Sequence, residues 1–113
     1  MSVHQTQLDL MFSALGDTTR RAVLARLSRG PAAVSELAQD ADMALPSFTQ
    51  HLKVLEHSGL VISEKKGRIR TYCLAPEALK EVELWLSRQR SDWESRFNQL
   101  DLHLKKMKET LDD

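Results

Sequence analysis

The chain has 113 residues, of which 42% are hydrophobic and 28% are charged, a composition typical of a single soluble globular domain. Its 16 basic and 16 acidic residues give a formal net charge of zero, and the single cysteine, Cys73, excludes an intrachain disulfide. No apolar run is long enough to span a membrane and the amino terminus lacks a signal-sequence pattern, so we expect a cytoplasmic location and no membrane partner.

Two helices are predicted before residue 31. The first covers residues 4–15, and its apolar stripe consists of Leu8, Met11, Phe12 and Leu15. Gly16 would end this helix, and Asp17 would cap the next one. The second helix would end at Gly30-Pro31 and bury Val23, Leu24 and Leu27. Its arginines form either a solvated face, which we favour, or a set of phosphate contacts: Arg20, Arg21, Arg26 and Arg29.

A helix-turn-helix is predicted over residues 34–58. Its first helix covers residues 34–41, with Ser35 as the cap and Glu36 in the first turn. Its second helix begins at Pro46 and ends before Gly59, with an apolar stripe formed by Phe48, Leu52 and Leu55. The opposite face carries side chains that suit base edges and phosphates, namely Ser47, Thr49, Gln50, Lys53 and His57, with His51 on its flank.

A β-hairpin is predicted over residues 60–74. Residues 60–62 and 69–74 have the composition of strands, and residues 63–68 form a charged turn in which Gly67 can adopt positive φ. Four cations lie near its tip: Lys65, Lys66, Arg68 and Arg70. A helix-turn-helix followed by a basic hairpin, which we call the wing, is the winged helix arrangement.

The distribution of charge agrees with this arrangement. Residues 45–74 carry five Lys or Arg against Glu56 and Glu64, a local charge of 5 − 2 = +3, whereas the segments on either side are negative. The positive charge is therefore concentrated in the segment that would face phosphates, although the total is zero.

A long helix is predicted over residues 76–111, either continuous or broken near Arg90, where Ser91-Asp92-Trp93-Glu94 resembles a capping box. Its apolar residues form two rows with seven-residue spacing: Leu86, Trp93, Leu100 and Met107, and Phe97, Leu104 and Leu111. Such a stripe needs a covering surface. We therefore predict a homodimer whose interface, with the first helix, includes Leu8, Phe12, Leu86, Trp93, Phe97, Leu100, Leu104 and Met107.

The sequence resembles the ArsR-type winged helix transcriptional repressors. The resemblance lies in residues 15–24, 34–38, 51–56, 58–61 and 67–72, and extends over most of the chain between Leu8 and Trp85. It implies a symmetric dimer that binds an inverted-repeat operator in duplex DNA and represses by occluding a promoter. It also implies base contacts from Ser47, Thr49, Gln50 and His51, with Lys53 on phosphates and the wing cations near the minor groove or backbone.

Two features depart from the family pattern. Ala44 and Leu45 replace the capping serine and the glutamine of many relatives, so one contact is absent and the start of the helix is less well capped. His51 has an alternative interpretation as a partly buried histidine that packs on the helix flank and bonds to the backbone.

Many ArsR-type proteins sense metals, but this chain lacks their usual ligands. Residues 36–42 contain no cysteine, and Asp101-Leu102-His103 matches only the start of the family's second site. We predict no metal and no cofactor, as in a subgroup that the Trp93–Phe97 segment resembles. A metal-responsive repressor that uses Asp101 and His103 from both subunits is an alternative. A small-molecule inducer is compatible with the family, but no motif identifies one.

No enzyme motif is present, so we do not expect catalysis. The alternative from another functional class is a winged helix protein-interaction module. The basic wing favours DNA over that alternative.

Overall fold

The structure, a computed structural model, describes residues 3–112, with side chains described for residues 6–111. The helices and strands of the described chain are, in order, α1 (Val3–Leu15), α2 (Thr18–Leu27), β1 (Ala32–Ala33), α3 (Val34–Ala38), α4 (Leu45–His57), β2 (Val61–Lys66), β3 (Ile69–Leu74) and α5 (Lys80–Asp112). The chain divides into two units, with the boundary between Val82 and Glu83. The predicted fold class, mainly α with a small β-hairpin, is confirmed.

The sheet is built around β3, which pairs antiparallel with β2 on one side and with β1 on the other. In the hairpin Lys66 lies opposite Ile69, so the connection is a two-residue turn, Gly67-Arg68. Gly67 has φ +63, the positive value that the first position of a type II′ hairpin turn requires. The predicted charged turn over residues 63–68 is therefore too long, because backbone pairing continues β2 to Lys66.

The strand β1 was not predicted. Ala32 and Ala33 pair with Tyr72 and Thr71 of β3. This pairing fixes Ala33 in an extended conformation, with φ −77 and ψ 160, and places the start of α3 at Val34. The predicted cap at Ser35 is wrong, since Ser35 lies inside the helix; the Glu36 carboxylate instead accepts a hydrogen bond from the Ala33 backbone N–H at 3.3 Å.

The core of the first unit is formed by side chains from every helix and strand of that unit. Its buried hydrophobic members are Met11, Ala14, Val23, Leu27, Ala32, Leu37, Phe48, Leu52, Leu55, Leu60, Val61, Tyr72, Ala78 and Val82. The predicted stripe of α4 is confirmed, because Phe48, Leu52 and Leu55 are each no more than 1% exposed. Burying these three residues holds one face of α4 against the core and leaves the other in solvent.

The carboxyl end of α4 is fixed by a contact from α1. Gly59, directly after the C-cap residue Ser58, has φ +84, which confirms its predicted role beyond the end of the helix. The Gln7 side-chain amide donates a hydrogen bond to the Ser58 carbonyl oxygen. A Cβ at position 59 would lie 2.8 Å from Gln7 Nε2, so the glycine also permits this close approach.

The terminal helix α5 is continuous from Lys80 to Asp112, so a break near Arg90 is wrong and Ser91 does not begin a new helix. Its first residue lies four positions after the predicted start at 76. The second unit contains the part of α5 from Glu83 onward. Among the described residues, neither α5 nor any other helix is both long enough and apolar enough to cross a membrane.

The buried stripe of α4 gives a test of the fold. Leu52 is fully buried, so Leu52→Ala should lower the free energy of unfolding by about 2–5 kcal/mol through lost burial and a residual cavity. Leu45→Ala is the matched control, because Leu45 lies on the same helix but is 57% exposed, and its effect should stay within about 0.5 kcal/mol. Urea unfolding at a fixed protein concentration measures both; similar losses in the two variants would contradict the packing.

Candidate nucleic-acid interface

The solvent-facing side of α4 is polar with an apolar start. Ser47, Gln50 and Lys53 are exposed, whereas Thr49 is half-buried and donates its hydroxyl to the Leu45 carbonyl at 2.8 Å. Pro46 lies in the first turn, and the N-cap residue Ala44 makes no side-chain capping bond. A shallow depression on this face is lined by Leu45, Pro46, Thr49, Gln50 and Lys53. Hydrogen-bonding groups beside apolar ones are what the base edges of the major groove require.

The wing cations are all exposed. Lys65 lies opposite Arg70 across the hairpin, Lys66 lies next to the turn, and Arg68 lies within it. The Lys66 ammonium is 3.9 Å from the Glu64 carboxylate, and both side chains are largely exposed, so this pair contributes little. The hairpin therefore presents a cluster of cations to solvent at its tip, as a phosphate-binding surface requires.

Arg70 also takes part in a relay that joins the wing to α4. Its guanidinium donates to Ser63 Oγ at 2.8 Å, and Ser63 Oγ donates to Glu56 Oε1 at 2.5 Å. The relay connects the cation of β3, the hydroxyl of β2 and the carboxylate of α4. It joins the wing to α4 and uses part of the hydrogen-bonding capacity of Arg70.

Tyr72 is buried close to this relay. Burial raises the pKa of its phenol above the usual 10.0, and the Glu56 carboxylate raises it further. The Arg70 guanidinium and the hydrogen bond with Ser63 act in the opposite direction, because they favour the phenolate. The pKa of Tyr72 therefore depends first on its burial and then on the opposing charges of Glu56 and Arg70.

A second polar cluster lies where α2 meets α4, and we call its residues, Asp17, Arg20 and His51, the Arg20 cluster. The Arg20 guanidinium is 3.1 Å from His51 Nδ1 and donates to the carbonyl oxygens of Ala14 at 2.8 Å and Ser13 at 3.0 Å. Asp17 Oδ2 accepts from the Arg20 backbone N–H at 3.0 Å, confirming the predicted cap. This backbone hydrogen bond is the main cause that lowers the pKa of Asp17; the charge of Arg20 acts in the same direction, as does that of His51 when its ring is protonated.

The other arginines of α2 also bond within the protein. Arg21 donates to the Leu15 carbonyl oxygen at 2.7 Å, and Arg26 donates to the Gly30 carbonyl oxygen at 3.2 Å and approaches Glu36 at 3.5 Å. Arg20 and Arg21 both bond to carbonyls at the end of α1, where the helix leaves its last acceptors unpaired. A solvated face is thus an incomplete description of these arginines, since three of them connect neighbouring elements.

The predicted dimer residues are distributed over both units. In the first unit Leu8 is half-buried and Phe12 is exposed. In the second unit the predicted interface residues are all about half exposed or more: Leu86, Trp93, Phe97, Leu100, Leu104 and Met107. In the same unit the Asp101 carboxylate pairs with Lys105 at 3.4 Å, and the described residues contain no group of three or more potential metal ligands.

Comparison with known proteins identifies the family. A family model described as a helix-turn-helix domain matches residues 15–64. The HTH-type transcriptional regulator Rv2034 of Mycobacterium tuberculosis is 44% identical over 80 residues, which cover 71% of this chain and 75% of that protein. A crystal structure of an ArsR family transcriptional regulator is 54% identical with a TM-score of 0.78, covering 84% of this chain and 98% of the other. The chain belongs to the ArsR family.

A more distant relative of this ArsR family protein is the transcriptional repressor SdpR of Bacillus subtilis, 28% identical over 67% of this chain and 84% of SdpR. The family resemblance drawn from the sequence is confirmed, and the protein is a DNA-binding transcriptional regulator. The individual contact residues on α4, the wing and α5 stay predictions. The sequence analysis did not predict that Arg20 bonds to His51 or that Ser63 links Arg70 to Glu56. Of these contacts, only the predicted Asp17 cap pointed to the region around Arg20.

The position of Tyr72 is open to a direct test, because it is the only tyrosine of this ArsR family protein. The tyrosinate absorbance should rise with a midpoint above pH 10.0 in the folded protein and return to about 10.0 in urea. Since the folded pKa is the higher one, this contribution to stability is complete below pH 10.0 and is lost as pH rises through the folded pKa.

Glu56→Gln should lower that midpoint, because the variant removes a negative charge that disfavours the phenolate. Glu64→Gln is the control, as Glu64 lies on the adjacent strand but pairs with Lys66. An equal effect of the two variants would show that Glu56 does not face Tyr72.

Proposed function

We propose that this ArsR family protein is a homodimeric repressor that binds an inverted-repeat operator, with α4 in the major groove and the wing on the adjacent minor groove or backbone. The observation that carries the proposal is that α4 buries its apolar stripe completely and leaves Ser47, Gln50 and Lys53 exposed. A helix held rigidly by one face can present the other to base edges. Repression follows if the bound dimer blocks a promoter.

The proposed contacts divide into two kinds. We propose that Ser47, Thr49, Gln50 and His51 contact bases and that Lys53 contacts phosphates. Lys65, Lys66, Arg68 and Arg70 add charge at the wing, where contacts to phosphates fix register and orientation without selecting sequence. The relay from Arg70 to Glu56 supports this arrangement, because it joins the charged wing to α4 by hydrogen bonds.

The dimer is supported by the apolar rows of α5. Phe97 is 67% exposed, and its neighbours along the rows are exposed to a similar extent over several helical turns. A continuous apolar stripe on a helix at seven-residue spacing is covered in solution by another chain or by a fold-back, and α5 does not fold back. A second copy of the chain supplies a matching stripe, as two-fold symmetric interfaces require.

The alternatives predict different behaviour. A protein-interaction module would not need the four exposed wing cations, and a metal-responsive repressor would need Asp101 released from Lys105. The proposed protein binds DNA in the cytoplasm and catalyses no reaction.

The inducer, if the protein has one, is not identified. The first unit contains an apolar cavity of about 580 Å³ beside Leu24, Leu60 and Leu74, a volume within the range of small-molecule sites.

The DNA surface is tested by fluorescence anisotropy with duplex DNA from upstream of the protein's own coding sequence, at several salt concentrations. The double variant Gln50→Ala with Arg68→Ala should weaken binding at least tenfold. Arg68→Ala alone should reduce the slope of log affinity against log salt concentration by about one, as expected for one lost phosphate contact. Arg29→Ala removes an exposed cation outside α4 and the wing and serves as control. Unchanged affinity in the double variant would exclude this surface.

The dimer is tested by sedimentation analysis. Leu100→Asp places a charge in the middle of the first apolar row and should convert dimer to monomer at micromolar concentration, because an unpaired carboxylate is costly to bury. Asn98→Asp adds the same charge two residues away, outside both rows, and should leave the dimer intact. A Leu100→Asp protein that stayed dimeric would exclude the proposed interface.

A further inference from the structure

The Arg20 cluster determines which nitrogen of His51 carries a proton. A guanidinium has only donors, so the 3.1 Å contact between Arg20 and His51 Nδ1 is a hydrogen bond only if Nδ1 accepts. An Nδ1–H would instead point a positive hydrogen at a cation. The other neighbour, Asp17 Oδ2, is 3.6 Å from Nδ1, beyond hydrogen-bond range, and already accepts from the Arg20 backbone N–H. The proton of the neutral ring therefore lies on Nε2.

Arg20 is held in place independently of His51. Its Nε and second terminal nitrogen donate to Ala14 and Ser13 carbonyls at the end of α1, and its own backbone N–H is bound by Asp17. Three elements, α1, α2 and α4, thus converge on one guanidinium. Because Arg20 cannot turn away without losing two other bonds, the tautomer of His51 is fixed before any ligand binds.

The Nε2 atom of His51 is in contact with solvent. Within the described part of the chain no buried side-chain nitrogen or oxygen lacks a hydrogen-bond partner, and the bond of His51 is made through Nδ1. The side chain is 22% exposed, so a small part of the ring, including Nε2, reaches the surface. His51 thus carries one inward acceptor and one outward donor.

We propose that His51 acts on DNA only as a hydrogen-bond donor, through Nε2–H, and that Arg20 is the positioning residue that imposes this polarity. The proposal rests on the proposed function, since it specifies how the same surface recognises duplex DNA. The matching group is a hydrogen-bond acceptor, either a phosphate oxygen or an acceptor on a base edge such as purine N7, guanine O6 or thymine O4. A cytosine or adenine amino group does not satisfy Nε2–H.

The tautomer is measured directly by nitrogen NMR of the ¹⁵N-histidine-labelled protein without DNA. The chain has four histidines, so His51→Gln assigns the signals by difference. Nε2 of His51 should carry the proton and Nδ1 should not. Arg20→Met should allow a mixture of tautomers, because the donor that faces Nδ1 is gone, whereas Arg21→Met, which removes the neighbouring guanidinium bonded to Leu15, should leave His51 unchanged.

A neutral wild-type ring with its proton on Nδ1 and none on Nε2 would overturn the proposal whatever the variants do. This arm does not depend on the folding of Arg20→Met, and it does not depend on DNA.

The contact with DNA is tested by measuring the affinity of His51 variants for the upstream duplex and for an unrelated duplex. The glutamine amide of His51→Gln can place a donor where Nε2–H lies, whereas the shorter amide of His51→Asn can accept from Arg20 but reaches no farther than Nδ1. His51→Gln should therefore bind within about threefold of wild type, and His51→Asn should bind about tenfold more weakly, as expected for one lost hydrogen bond. Equal binding of the two variants, whether weak or strong, would overturn the proposal.

The two duplexes distinguish the sources of the acceptor. A loss in His51→Asn that is equal on both duplexes identifies a phosphate, and a loss confined to the upstream duplex identifies a base edge; both support the proposal. Absence of wild-type binding to either duplex would contradict the proposed function and with it the DNA part of this inference. Wild-type binding with an Nδ1–H ring would contradict the inference alone.

Discussion

The burial of Phe48, Leu52 and Leu55 is the constraint on which the rest of this structure depends. Removing each of these side chains from water contributes about 1.5–3 kcal/mol to the stability of the fold. Together the three residues fix the depth and the rotation of α4 in the core. In a domain of this size, the helix that we propose contacts DNA is also part of the core. The same 13 residues have to supply the centre of the core and the polar surface, so the division between the two faces is decided by helical periodicity.

Around α4, charged groups serve two distinct purposes. Those of α2 bond inward, so Arg20, Arg21 and Arg26 connect the end of α1, the loop after α2 and α3. Those of the wing are exposed to solvent, although Arg70 also donates one hydrogen bond to Ser63. A net charge of zero therefore conceals a separation between cations that stabilise the fold and cations that stay available for phosphates. Counting charges along a chain does not make this distinction.

Patterns confined to one helix or one turn were predictable from the sequence, because periodicity and glycine chemistry act over a few residues. The α4 stripe, Gly59 beyond its end, the Asp17 cap and the hairpin belong to this group. Features set by partners distant in the chain were not. The strand β1 forms because β3, about 40 residues later, offers an open edge, and this pairing makes Ala33 rather than Ser35 the N-cap residue of α3, with the Glu36 carboxylate accepting from the Ala33 N–H. Arg20 resembled a solvated residue because His51, its partner, lies 31 positions away.

The contact between Gln7 and the Ser58 carbonyl gives α1 a mechanical role in the proposed dimer. The residue after Gln7 is Leu8, one of the proposed interface residues, so one turn of α1 would touch the second subunit and the end of α4 at the same time. Gly59 leaves room for the end of the Gln7 side chain at this contact. In the proposed dimer, a shift of α1 at the subunit boundary would displace this contact with the end of α4. In the proposed dimer, an effector that repositions α1 would therefore act on α4 without binding near the proposed DNA surface.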